Sequence, residues 1–124
     1  VTRAGFVPGQ AELATKLREI APKNLKYVYY GNSGTEAVEA AVKLARLSTG
    51  KKKLIGTELG YHGMSIATIS LSGIGMWRDG IGPYVEATSL VQHGNLASLE
   101  DAIDDDTAAV VLEPIQWASG CRVV

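Results

Sequence analysis

Ala108-Ala109-Val110-Val111-Leu112-Glu113-Pro114 is the stretch that decides the fold. Its apolar residues run unbroken until a carboxylate and a proline end them. A short continuous run of this kind reads as a strand buried on both faces, as in a parallel sheet. It is the longest apolar run in the chain and far too short to span a bilayer. Upstream, Asn95 can cap a helix carrying Leu96, Leu99 and Ile103, closed by Asp104-Asp105-Asp106. Val85 to Val91 predicts a weak strand, and Gly73 to Pro83 is rich in turn residues. Ser65 to Ser72 alternates small and apolar residues in a way that suits helix and strand equally. Lys53-Leu54-Ile55-Gly56 reads as a strand.

The first fifty residues continue the alternation. Pro8-Gly9-Gln10 opens a helical pattern of Leu13, Leu17 and Ile20, which Pro22 ends. Lys26-Tyr27-Val28-Tyr29-Tyr30 is β-branched and aromatic and predicts a short strand, broken at Gly31. Ser33-Gly34-Thr35-Glu36 fits a capping box, with the serine hydroxyl accepting from a first-turn amide. Ala37, Val38, Ala41, Val42 and Ala45 then form an apolar stripe. Glu36, Glu39, Lys43 and Arg46 place acids early and bases late, which suits the helix dipole. Gly50 predicts a left-handed stop. Strands alternating with helices predict an α/β fold, a mostly parallel sheet flanked by helices. No repeat and no linker composition divides the chain.

Composition narrows the function classes. The chain has 124 residues, 46% hydrophobic and 20% charged, the balance of a folded domain. Twelve basic and thirteen acidic residues leave a net charge of -1, which argues against nucleic acid or a membrane surface as partner. No basic start followed by an apolar stretch resembles a signal peptide. The lone Cys121 has no internal disulfide partner and reads as a packed residue. Together these features predict a cytoplasmic setting. His62, His93 and Cys121 lack metal-ligand spacing, so no metal site is expected. Lys51-Lys52-Lys53 reads as a solvated turn. The chain opens at Val1 without methionine and stops at Val124 in an apolar stretch, and we expect a piece of a longer protein.

Three places could carry chemistry. Gly31-Asn32-Ser33-Gly34-Thr35 joins a strand to a helix start, where amides and dipole favour an anion such as phosphate. It is neither a Walker loop nor the three-glycine dinucleotide fingerprint. By itself it also fits an ordinary capped helix. Gly60-Tyr61-His62-Gly63 offers an aromatic face for a planar ligand and a histidine for acid-base work, or else a plain surface turn. Glu113 ends the buried strand, where open α/β sheets place ligand-facing residues, although a solvated strand end explains it equally.

The order of these motifs resembles the class III aminotransferases. The resemblance runs through Asn32-Ser33-Gly34-Thr35-Glu36-Ala37, Glu39 to Arg46 with Thr49-Gly50, Tyr61-His62-Gly63, and Ala108 to Gln116. It implies the aspartate-aminotransferase fold, fold type I, with pyridoxal 5'-phosphate as cofactor. It implies that Ser33, Gly34 and Thr35 hold the cofactor phosphate and that Tyr61 stacks on the pyridine ring. His62 is carried over as a further cofactor contact, on the substrate side. Glu113 is carried over as the catalytic carboxylate beside the cofactor, in an orienting or electrostatic role. The family's Schiff-base lysine, its aspartate partner to the pyridine nitrogen and its small C-terminal domain have no counterpart here. Residues 1–124 are therefore expected to be a partial large domain, inactive by itself. The parent protein is expected to be a homodimeric transaminase that takes a small amino donor and an oxo-acid acceptor. Many members read Glu-Pro-Ile-Gln-Gly-Glu, whereas this chain has Trp117 and Ala118 after Gln116. Tyr61-His62-Gly63-Met64-Ser65 and Gly80-Ile81-Gly82-Pro83 also resemble the dialkylglycine decarboxylase branch. A decarboxylating transaminase is thus an alternative, as is a non-catalytic phosphate-binding α/β module.

Overall fold

The computed structural model describes residue 5 and residues 7–123. The chain forms two compact units, residues 1–33 and 34–124. The boundary falls between Ser33 and Gly34, inside the predicted capping box, where no linker composition announces it.

In the first unit, helix α1 spans Pro8–Ile20. Pro8 sits at its start, where a missing N–H costs nothing, and Ala21 ends it as extended chain before Pro22. The Tyr30 hydroxyl donates to the Gln10 carbonyl at 2.8 Å. The strand predicted at Lys26–Tyr30 is corrected: the segment joins no ladder among the described residues, and Tyr27 is 94% exposed. Aromatic and β-branched residues favour a pleated surface only where a neighbouring strand supplies one.

The second unit begins with α2, Gly34–Thr49. Gly50 follows at φ +70°, the left-handed stop its sequence predicts. Strand β1, Lys53–Glu58, is the centre of the sheet. It pairs in parallel with β2 (Ser72–Gly73), β3 (Thr88–Val91) and β4 (Thr107–Val110). Helix α3 (Ile66–Leu71) precedes β2, so the ambiguous stretch is a helix that runs straight into a strand. Helix α4 (Gly75–Arg78) lies in the turn-rich segment, and α5 (Leu96–Ala102) follows β3. Strands β5 (Ile115–Gln116) and β6 (Arg122–Val123) pair antiparallel around a short 3-10 turn, Trp117–Ser119.

The core forms where α2 lies on the sheet: Val42, Leu54 and Leu71 are buried, with Val38, Ala108, Ala109 and Val111 packed on them. Burying such side chains contributes about 1.5–3 kcal/mol each. Three expectations need correction. Strand β4 is only half-buried, because β1 is its one sheet neighbour among the described residues. Lys53 opens β1, as the strand reading has it, and pairs with Asp104 at 2.6 Å, so the solvated-turn reading of Lys51-Lys52-Lys53 does not extend to it. Cys121 is exposed, at φ +56° in the β5–β6 turn, not packed.

Candidate active site

The site grows from the carboxyl end of β1. Leu59 adopts φ +58°, a strained value for a branched residue, and turns the chain out of the sheet. Gly60 and Gly63 follow because neither place has room for a side chain. A Cβ at Gly60 would lie 2.7 Å from Thr57 Oγ1. At Gly63, with φ +124°, it would collide with the side chain of Thr35 and lie 2.9 Å from Thr68 Oγ1. Thr35 is in the first turn of α2, so Gly63 is what lets this loop close on the helix start.

Between those glycines, the Tyr61 amide donates to Glu113 Oε1 at 2.8 Å. The His62 amide donates to Ser72 Oγ at 3.1 Å. His62 is 8% exposed, and its Nε2 is buried with no hydrogen-bond partner among the described residues. Burial pulls its pKa below 6.5, and the Glu113 charge partly opposes that. Gln116, 1% exposed, donates through Nε2 to Thr57 Oγ1 at 3.1 Å and to the Glu58 carbonyl at 2.8 Å. It ties the segment after Glu113 to the end of β1. The predicted motif contained Gln116 without giving it a role.

Gly34, Thr35, Val38, Tyr61, His62 and Gly63 line one cleft of about 340 Å³. That is within the ~300–1,000 Å³ usual for small-molecule sites. Four of the six predicted site residues thus share one cavity, and Glu113 reaches it through the Tyr61 amide. Ser33 is the last residue of the first unit, adjacent in sequence to Gly34. Among the described residues no cluster of His, Cys, Asp or Glu could hold a metal, and no helix is long and apolar enough to cross a membrane.

The profile of the family described as aminotransferase class-III matches residues 3–124. The chain belongs to the class-III aminotransferases. An acetylornithine aminotransferase of Methanopyrus kandleri is 46% identical over 114 residues, covering 92% of this chain and 29% of that protein. One of Methanosarcina mazei is 44% identical over 115 residues, with 92% and 29% covered. The ornithine aminotransferase of Toxoplasma gondii, solved with partial occupancy of PLP at its active site, superposes with a TM-score of 0.84 at 26% identity. That match covers 99% of this chain and 31% of the other. The chain therefore spans under a third of the length of the relatives it matches, and its fold is the type-I fold of these enzymes.

Membership in the class-III family implies pyridoxal phosphate, and the residues of the cleft fit it. Gly34 leaves open space where a side chain would stand, at the first residue of a 16-residue helix whose dipole favours an anion. Tyr61 provides an aromatic face, and the unpartnered Nε2 of His62 leaves a buried polar atom for a ligand to satisfy.

Proposed function

We propose that this chain is part of the large, cofactor-binding domain of a pyridoxal-phosphate-dependent transaminase. The parent protein, cytoplasmic and homodimeric, would move an amino group from a small amino donor to an oxo acid. The observation that carries this reading is the single cleft that gathers Gly34, Thr35, Tyr61 and His62, with Glu113 bonded to the Tyr61 amide.

Gly34 and Thr35 would hold the phosphate at the start of α2, joined by Ser33 on sequence adjacency. Tyr61 would stack on the pyridine ring and set its plane. Glu113 fixes the Tyr61 backbone and holds a negative charge close to His62. His62, kept neutral by burial, can accept or donate one proton through Nε2 according to its tautomer. When bound, pyridoxal phosphate supplies the electron sink that the amino-group transfer requires.

The full-length protein, supplied with pyridoxal phosphate, should show a visible absorption band and transfer an amino group from a small amino donor, N-acetylornithine being the first to try, to an oxo acid. Gly34→Val should remove the band without unfolding the protein, because the new side chain fills the open space at the helix start. A protein that neither binds the cofactor nor transfers an amino group from any donor tested would sink the proposal. The decarboxylating variant is the second reading, supported by the likeness of Tyr61 to Ser65 and of Gly80 to Pro83 to that branch and by Ala118 in place of a second glutamate. Release of carbon dioxide from a dialkylglycine would select it.

A further inference from the structure

Three aromatic rings from three separate segments meet beside the cleft. Tyr61 lies on the loop after β1, Trp77 on α4 and Trp117 on the 3-10 turn. The Tyr61 and Trp77 centroids are 5.1 Å apart with planes at 70°. Tyr61 and Trp117 are 6.1 Å apart at 77°, and the two tryptophans are 6.0 Å apart at 36°. Both contacts to Tyr61 therefore have the edge-to-face geometry that aromatic quadrupoles favour.

Each tryptophan is itself held. The Trp77 amide donates to the Ile74 carbonyl at 3.1 Å, and neighbouring Arg78 donates to the Ser72 carbonyl at 3.0 Å. The Trp117 carbonyl accepts from Gly120 at 3.1 Å and from Cys121 at 3.3 Å, in a turn that the buried Gln116 ties to β1. Trp117 nevertheless remains 52% exposed, so apolar burial alone does not account for its place. The backbone of Tyr61 is fixed by Glu113, but that bond leaves its ring free to tilt. Two flat rings set steeply against it remove that freedom.

We infer that Trp77 and Trp117 are positioning residues that set the tilt of the Tyr61 ring, and through it the plane in which the cofactor ring is held. This rests on the cofactor reading above. The test is the visible circular dichroism of the bound cofactor in the full-length protein, because that signal reports how the cofactor ring is oriented. Equilibrium dialysis gives affinity alongside. In W77A/W117A the visible signal per bound cofactor should fall by about half and the dissociation constant rise about tenfold. Phenylalanine at both positions should restore most of the signal, while leucine, equally apolar but not flat, should not. The leucine variant also keeps apolar bulk at the site if alanine destabilises the fold. A wild-type band that persists with unchanged dichroism in the leucine variant overturns the inference and leaves the cofactor reading standing. A wild-type protein with no visible band overturns both.

Discussion

Strands β1 and β3 lie side by side in one parallel sheet, and each ends in a loop that carries a histidine. The two loops are built differently. After β1, glycines 60 and 63 are hemmed in by Thr57, Thr35 and Thr68. Anchors also arrive from far along the chain: Glu113 on the Tyr61 amide, and Gln116 on Thr57 and Glu58. After β3, Gly94 takes φ +76° with open space around it. There His93 lines a smaller cavity of about 100 Å³, with both ring nitrogens buried and unpartnered among the described residues. A histidine at a strand end is therefore not what marks the site. The long-range anchors are: they tie one loop to distant residues, while the hydrogen bonds of the other, among the described residues, are between near neighbours.

Alanine at the two left-handed glycines should separate the loops most strongly. Gly94→Ala costs only backbone strain, about 1–2 kcal/mol. Gly63→Ala adds a collision with Thr35 and should cost about 2–5 kcal/mol in all. Urea melts of both variants measure the gap, and equal losses would erase the distinction. Glu113→Ala comes next. It strips the half-buried Tyr61 amide of its acceptor, at about 1–3 kcal/mol. Among the described residues none after β3 is an equivalent target, since the bonds there are short-range: Asn95 N to Gln92 O at 3.2 Å, and the amide side chain of Asn95 to Gln92 Oε1 at 3.0 Å.

The helices that follow the two loops sharpen the contrast at lower cost. Asn95 caps α5 by accepting from the Ser98 amide at 3.0 Å. Ser65 caps α3 in a reciprocal box with Thr68 and also donates to Glu39 Oε1 at 2.6 Å. Asn95→Ala should cost about 1 kcal/mol, near the middle of the range for a lost cap, and Ser65→Ala nearer 2. The Ser65 hydroxyl is the largest influence holding the Glu39 carboxyl below its usual 4.5. A depressed carboxylate stabilises the fold above the unfolded pKa, and that stability is lost as pH falls through the folded value. The extra penalty of Ser65→Ala should thus be full at neutral pH and shrink on acidification. A penalty independent of pH would detach Glu39 from the cap.

The same division between local and long-range explains what could be read from residues alone. The Asn95 cap and the Gly50 stop are local patterns, and each became the expected element, while the Ala108–Leu112 run became a parallel strand, Thr107–Val110, that is only half-buried. Lys26–Tyr30 has equally good strand composition, but a strand needs a neighbour, and composition does not name one. Ser65–Ser72 defied a choice because helix and strand share it. The motif residues Gly34, Thr35, Tyr61, His62 and Glu113 were legible as types in order. Their convergence was not, since the Tyr61–Glu113 bond spans 52 positions. Trp77 escaped notice because a turn-rich segment hides a ring whose partners are 16 and 40 residues away in opposite directions.

The mildest test titrates His62. Burial lowers its folded pKa below the ordinary 6.5, and the neighbouring Glu113 charge raises it part of the way back. Below pH 6.5 the unfolded chain then takes up a proton that the folded one refuses, so stability should fall as pH drops from 6.5 to the folded value and level off beneath it. Glu113→Gln separates the two influences. Its amide oxygen can still accept from the Tyr61 N–H, so the loop keeps its anchor, but the charge that favours protonated His62 is gone. The folded pKa should drop further, and the window of falling stability should extend to lower pH. Proton NMR of the imidazole ring reads the midpoint directly, with His62→Gln identifying which signals are its own. A His62 midpoint at or above 6.5 would mean that burial does not govern this ring, and one that rises in Glu113→Gln would mean that the Glu113 charge does not favour its protonated form.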